Sequence, residues 1–214
     1  MTSVAKSPYT SEQIAAWLRG LLTIALSDDN FDDQEQQLIT HITQHELAPG
    51  LDLKGLEVIT PQELAVVLGK GTPAAENFLR TAVMVAIADG TYSPSEDQLL
   101  QQFCQALELK TEVIEALRHT LEHKELAPHP DILNPVRDWL DGLEIHDPRV
   151  ASFLCKMIPS QCPFERDIVL FGRKIVHIPP LCKINPLYEQ LVGLRFRSLS
   201  YLADECHEDV SAYI

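Results

Sequence analysis

The chain has 214 residues, 45% of them hydrophobic and 22% charged, a composition that indicates a folded protein and excludes an intrinsically disordered one. Its formal net charge of −14 disfavours nucleic acid and anionic lipid surfaces as partners, because both attract basic proteins. No apolar run approaches the ~18 residues of a membrane span, and residues 1–10 do not resemble a secretory signal. We therefore expect a cytoplasmic protein without membrane insertion.

The first part of the chain contains two similar acidic turns, residues 27–35 and residues 88–96. Asp28 corresponds to Asp89 and Glu35 to Glu96, and an apolar run precedes each turn at the same offset. Each copy has the pattern of a helix, an acidic turn and a second helix. Because one such unit cannot bury its apolar face alone, the pattern predicts a two-repeat helical domain.

Further helices are predicted along the chain from their capping signals. Thr60 and Thr72, each followed by proline, start helices over about 61–68 and 73–88, and the run 82–88 is apolar on every face, as in a central helix. Helices follow from Ser93 and Thr111, and the prolines at 128 and 130 mark a linker. We therefore predict one domain over residues 11–128 and a second over residues 131–214.

The second domain is predicted to be mainly helical with one small β element. Short helices start at Asn134-Pro135 and Asp147-Pro148, and a hairpin is predicted over 168–178 with its turn at Gly172-Arg173. A long helix is predicted from Pro186 to Glu205, with leucines at helical spacing. The fold class is mainly α: a two-repeat helical domain and a smaller, mainly helical domain with a short β-hairpin.

The acidic turns allow two interpretations. Their carboxylates could converge on a divalent cation, although the first turn lacks the glycine and the bidentate glutamate of an EF-hand. Alternatively, the turns only cap helices, with Asp32 and Ser93 as N-caps and Glu35 and Glu96 completing capping boxes. The sequence favours capping and no cofactor, with a divalent cation as the alternative. The candidate metal ligands in the turns are Asp28, Asp32, Glu35, Asp89 and Glu96.

A second candidate metal site uses cysteines and a histidine of the second domain. The spacings lack the close cysteine pair of most zinc and iron–sulfur sites, so the sequence favours thiols that serve packing. Cys206 is excluded as a co-ligand of Cys182, because the predicted helix of about 20 residues would separate them by about 30 Å. The remaining candidate ligands are Cys155, Cys162, His177 and Cys182. Cys104 is predicted to lie in the core.

The second acidic turn resembles the family of the tellurite-resistance protein TerB. The resemblance rests on Ala88-Asp89-Gly90, Tyr92, Ser93 and Glu96 after the apolar run 82–87, and it extends over about 11–126. It implies a compact all-helical domain of two pseudo-symmetric halves, in which the acidic turns are suspected metal-binding places. The first copy departs from the pattern, with Asp29 at the position of Gly90 and Asp33 at that of Pro94.

Residues from about 135 to 213 resemble the family called the Mo-dependent nitrogenase C-terminus. Its motifs include Trp139-Leu140, Phe153-Leu154-Cys155-Lys156, a run over 161–167, a run over 177–183 and Gly193-Leu194-Arg195-Phe196-Arg197. Nitrogenase catalysis itself is not expected, because the chain has no glycine-rich phosphate loop of the Walker type.

The sequence predicts no catalytic residues and favours a non-catalytic role. The favoured function is a stress-response or regulatory interaction protein with an unidentified protein partner. The alternative is a metal-handling accessory protein connected with nitrogen fixation, which would use the acidic turns or the cysteine and histidine set. The sequence leaves the oligomeric state open.

Overall fold

The computed structural model describes residues 7–25, 27, 58–87, 92–122, 133–158, 166–170, 173–178 and 187–213. Within these ranges the protein is mainly helical. The helices are α1 (Ser11–Ala25), α2 (Pro61–Leu68), α3 (Pro73–Ala86), α4 (Pro94–Ala106), α5 (Glu112–Glu122), α6 (Asn134–Asp141), α7 (Pro148–Met157) and α8 (Tyr188–Ser200). None of the described helices is long and apolar enough to cross a membrane.

Two short strands lie between α7 and α8. Strand β1 (Arg166–Leu170) pairs antiparallel with β2 (Arg173–Ile178), with a register irregularity between Ile168 and Val169. The structure thus has an antiparallel strand pair in the region where the sequence predicts a hairpin over 168–178, but the pair begins at Arg166, and Arg173, predicted to lie in the turn, pairs with Leu170.

Side-chain caps fix where several helices begin. The capping boxes expected at Thr60 and Ser93 are both present, each with proline at the start of the helix. Thr72 caps α3 through the backbone N–H of Ala75, and Asp147 caps α7. These local signals therefore suffice to place the starts of four helices.

Helix α3 is the centre of the apolar core. Only Pro73, Glu76 and Arg80 of this helix are not buried, as its apolar sequence predicts. The ring of Phe78 packs edge-on against the rings of Trp17 and Phe103, with centroid distances of 6.1 and 5.4 Å. Trp17 also donates from Nε1 to Thr81 Oγ1 at 2.9 Å, which satisfies its buried N–H.

Gly20 lets α1 and α3 approach closely. A Cβ at position 20 would lie 2.6 Å from Cε2 of Phe78, well inside van der Waals contact. The Phe78 ring is fully buried and held between two other aromatic rings, so it has little room to move away. A glycine in this helix is therefore explained by packing.

The apolar core continues across the two predicted domains. Leu133, Val136 and Leu140 around α6 belong to the same buried cluster as the core residues of α1, α3, α4 and α5. Residues 123–132, which contain the predicted linker, lie outside the described residues. The division into domains at this linker stays a prediction.

Arg80 forms a polar link between α3 and α6. Its Nε donates to the carbonyl of Trp139 at 2.8 Å, and its guanidinium lies over the Trp139 ring, 5.4 Å from the centroid. On its own helix it pairs with Glu76 at 2.9 Å and donates to Asn77 Oδ1 at 3.0 Å. One side chain thus joins the two parts of the chain through a hydrogen bond and a cation–π contact.

Helix α8 passes through Gly193 without folding back and continues as a π-helical turn, Tyr201–Glu205. The long helix predicted up to Glu205 is therefore continuous from Tyr188, although its last turn is π rather than α. Its buried Arg195 donates to the carbonyls of Cys155, Ile158 and Tyr213. These bonds fix α8 against the end of α7, and a 3-10 turn, Ser211–Tyr213, follows.

Candidate functional site

Glu96 is the acidic-turn candidate that the structure describes. Asp28, Asp32, Glu35 and Asp89 lie outside the described residues. Glu96 Oε2 accepts from the Ser93 backbone N–H at 2.8 Å and from Ser93 Oγ at 2.9 Å, and Ser93 Oγ accepts from the Glu96 N–H at 3.2 Å. This is the reciprocal capping box that the sequence predicts. A metal site in the acidic turns stays a prediction.

Asp97, which the sequence analysis missed, joins the second acidic turn to α5. This buried carboxylate accepts from Tyr92 Oη at 3.0 Å and from Gln101 Nε2 at 2.6 Å, and it pairs with Arg118 at 3.1 Å. Burial raises the pKa of Tyr92 above its usual range, and the charge of Asp97 raises it further. Tyr92 therefore stays a neutral donor to Asp97. No local pattern connects Asp97 with an arginine so much later in the chain.

Cys155 lies in an apolar environment. It is buried with Ala151, Tyr201 and Leu202, and Cys206 packs against the same cluster. Burial raises the pKa of the Cys155 thiol to about 11, although the nearby Arg195 lowers it. Because the thiolate is the form that binds metal, this environment favours a packing role for Cys155.

The other members of the cysteine and histidine set are not placed by the structure. Cys162 and Cys182 lie outside the described residues, and for His177 the structure describes only its backbone position in β2. Among the described residues, no group of three His, Cys, Asp or Glu side chains is arranged to hold a metal ion. Cys104, predicted to lie in the core, is fully buried, and its thiol donates to the carbonyls of Leu109 and Lys110.

A cleft of about 510 Å³ opens where the two parts of the chain meet, and we call it the junction cleft. One wall comes from the N-terminal residues and α3, and the other comes from the segment between α6 and α7 and from the π-helical turn. The lining residues are Pro8, Tyr9, Pro73, Asn77, Glu144, His146, Tyr201 and Glu205. The sequence predicted no functional role for any of them.

Hydrogen bonds hold both walls of the junction cleft. On the first wall, Asn77 Nδ2 donates to Tyr9 Oη at 3.3 Å, and the Tyr9 ring packs against Trp17 with a centroid distance of 5.3 Å. On the second wall, Glu144 Oε2 and His146 Nε2 lie 2.9 Å apart. This contact, together with the charge of His146, lowers the pKa of Glu144, so the carboxylate stays ionised.

Negative charges lie near Tyr201 on the second wall of the cleft. Burial raises the pKa of Tyr201 above its usual range, and contact with Cys206 and the charges of Asp147 and Glu205 raise it further. Asp147 is itself buried and pairs with Arg149 at 2.8 Å. Glu205 is exposed at the rim, and no described residue pairs with it. The cleft thus combines a neutral phenol with carboxylate charge.

A second groove of about 600 Å³ lies between α2 and α4. It is lined by Gln62, Ala65, Val66, Lys70, Gln105 and Ala106, and Val66 is 85% exposed. Lys70 is paired with Glu108 at 2.8 Å. Its lining contains one charged side chain, Lys70, and no aromatic ring, whereas the junction cleft has two tyrosines and two glutamates.

Two family models match the chain. Residues 58–119 match tellurite resistance protein TerB, a match that spans α2 to α4, the second acidic turn and most of α5. Residues 132–214 match the Mo-dependent nitrogenase C-terminus. No curated protein and no solved structure matches the chain. Both family resemblances seen in the sequence are therefore confirmed, although the TerB match does not include the first acidic turn at 27–35. The junction cleft is lined by residues of the stretch that matches the Mo-dependent nitrogenase C-terminus, by α3 of the stretch that matches TerB, and by Pro8 and Tyr9, which precede both.

Proposed function

We propose that the protein is a non-catalytic, cytoplasmic stress-response or regulatory interaction protein that binds its partner at the junction cleft. The observation that carries this proposal is that both parts of the chain build the cleft together, with Tyr9 and Asn77 on one wall and Glu144 and Tyr201 on the other. Binding sites occur preferentially at such junctions. A partner bound there would contact both segments, so it could sense or fix their arrangement.

The side chains of the cleft suit reversible binding. The raised pKa of Tyr201 keeps its phenol neutral, and the lowered pKa of Glu144 keeps its carboxylate charged. Aromatic rings and prolines provide apolar contact area, and the asparagine and the carboxylates provide directed polar contacts. This is the usual composition of a recognition site, in which a few polar groups orient a ligand against apolar walls.

The two-repeat architecture belongs to the same proposal. The family match covers the second acidic turn and the helices on either side of it, α3 and α4. Helix α1 precedes the first turn just as α3 precedes the second, and the two helices pack on each other through Gly20 and Phe78. We propose that 11–128 forms the two-repeat domain and that 131–214 forms the second domain.

Affinity capture from a lysate of the source organism tests the function. The bait is the full chain, compared with Glu205→Arg in the cleft and with Glu112→Arg, which makes the same charge change on an exposed part of α5. A defined protein held stoichiometrically by the wild type and by Glu112→Arg, but lost from Glu205→Arg, would support the proposal. Equal retention by all three baits, or no retained protein, would overturn it. Stoichiometric metal in protein purified without oxygen would favour the metal-handling alternative.

A further inference from the structure

We propose that the junction cleft recognises an organic cation, an ammonium or guanidinium group carried on an apolar chain. Such a group occurs in the lysine or arginine side chain of a partner protein and in free polyamines. The inference rests on the proposed function, because it names the chemistry that the same cleft would bind. It follows from the charge of the lining, the aromatic walls and the size of the cleft.

The lining is acidic and contains no lysine or arginine. Glu144 and Glu205 contribute carboxylates from the second wall. His146 lowers the pKa of Glu144, and Arg80 lowers it further, but the Arg80 guanidinium is already bound to Glu76 and to the Trp139 carbonyl. Glu205 is exposed and unpaired among the described residues. Glu144 is already in contact with His146, but a cation entering the cleft can pair with Glu205 without displacing an ion pair of the described residues.

The aromatic residues add a second attraction for cations. Tyr9 and Tyr201 come from opposite walls, and Pro8 and Pro73 extend the apolar surface of the first wall. The ring of Tyr9 is held in place by Trp17 and by its hydrogen bond from Asn77. An ammonium or guanidinium group over the face of such a ring is attracted by its quadrupole. Little conformational entropy is lost on binding, because the ring is already fixed.

The arrangement fits an organic cation better than a metal ion. A bare divalent cation needs several oxygen or nitrogen ligands within about 2.6 Å, and the described residues offer no cluster of three such side chains. The cleft of about 510 Å³ instead has the size of a site for a small molecule or a long side chain.

The π-helical turn shapes the acidic wall. The Cys206 N–H bonds to the Tyr201 carbonyl at 3.1 Å, so this last turn holds one residue more than an α-helical turn. Within the same turn, Tyr201 and Glu205 both line the cleft, and Tyr201 is 6% exposed. π-Helical turns within α-helices often occur at functional sites. Tyr201 and Glu205, four residues apart, present a phenol and a carboxylate on one side of this turn.

Calorimetric titration of the full chain tests the inference with defined probes. N-acetyl-arginine amide and spermidine supply the cation, and N-acetyl-citrulline amide is the neutral analogue of the arginine probe. We expect at least one cation to bind and the citrulline compound not to bind. Glu205→Gln should weaken binding by about three- to tenfold, as expected for the loss of one charged contact at an exposed rim. Asp204→Asn, an exposed neighbour that does not line the cleft, should leave binding unchanged.

The outcomes distinguish a free polyamine from a protein side chain as the source of the cation. They also distinguish failure of this inference from failure of the proposed function. Tighter binding of spermidine points to a free polyamine, and tighter binding of N-acetyl-arginine amide points to a protein side chain. Equal binding of the arginine and citrulline amides, no binding of any cation, or no effect of Glu205→Gln in a variant with wild-type melting behaviour would overturn the inference. If protein capture still depends on the cleft in that case, the proposed function stands without it.

Discussion

Asp147→Asn should destabilise the protein in a way that depends on pH. The Asp147 carboxylate is buried at the start of α7, where it accepts from the Arg149 backbone N–H at 2.8 Å, from Nε at 3.1 Å and from Nη2 at 2.8 Å. Burial alone would raise its pKa, but the hydrogen bonds from Arg149 and Ser7 outweigh burial, and the pKa lies below its usual value of 3.8. The folded state therefore stabilises the charged form.

The expected loss of stability depends on which interactions of Asp147 asparagine can still make. Asparagine is as good an N-cap as aspartate, so the cap survives, but the charge and one acceptor oxygen opposite Arg149 are lost. Hydrogen bonds to charged groups contribute about 1.5–3 kcal/mol and neutral ones about 0.5–1.5 kcal/mol, so we expect a loss of about 1–3 kcal/mol at neutral pH. For a chain of this length, each kcal/mol shifts Tm by about 2–4 °C.

The lowered pKa of Asp147 determines how the stability difference between wild type and Asp147→Asn changes with pH. A group with a depressed folded pKa stabilises the protein above its unfolded pKa, and that contribution is lost as the pH falls through the folded value. The difference in Tm between wild type and Asp147→Asn should be full at pH 7 and should shrink below about pH 4. Thermal melts followed by circular dichroism measure it, with the exposed Asp138→Asn as the matched control. A difference that stays constant down to pH 3, or one below about 1 °C at pH 7, would refute the argument.

Three further predictions concern packing, capping and domain organisation. Gly20→Ala should lower the free energy of unfolding by up to about 2 kcal/mol, because about 1–3 kcal/mol of overpacking against Phe78 exceeds the gain of about 1 kcal/mol in helix propensity; a higher denaturation midpoint would contradict this. Ser93→Ala should cost about 0.5–2 kcal/mol and Glu96→Gln little, and a rise in Tm with calcium or magnesium would instead support a metal site in the acidic turns. Limited proteolysis should cut near residues 126–134 and leave fragments that elute together, because they share one apolar core; resistance at this segment would argue against the predicted linker.

The parts of the fold that could be predicted from sequence are those set by local chemistry. Ser93 and Glu96 form the predicted capping box because their positions within one turn suffice to bring them together. The central position of α3 followed from an apolar run with no polar face. The last turn of the long helix was different, since the π-helical geometry from Tyr201 has no signature in the sequence.

The Asp97 network shows why charged contacts were missed. Asp97 and Arg118 lie on different helices, and only the packing of α4 against α5 brings them within 3.1 Å. From the sequence, both resemble ordinary charged residues on helix surfaces. Tyr92 matched the TerB motif, but its role as a buried donor to Asp97 became visible only when its hydrogen bond was seen.

The junction cleft could not be predicted from the sequence for the same reason, since only tertiary packing brings its residues together. Because both parts of the chain line it, a fragment of the protein would lack part of the site. Its walls come from four separate segments, and one of them, the residues around Tyr9, carries no predicted helix or strand. Arg80 and the shared core hold the walls together. A fragment over 131–214 would keep Glu144 and Glu205 but lose Tyr9 and Asn77. It would retain both glutamates of the cleft and lose the Tyr9 ring, which Trp17 and Asn77 hold in place. Recognition at the cleft should therefore require the full chain, even if each segment folds by itself.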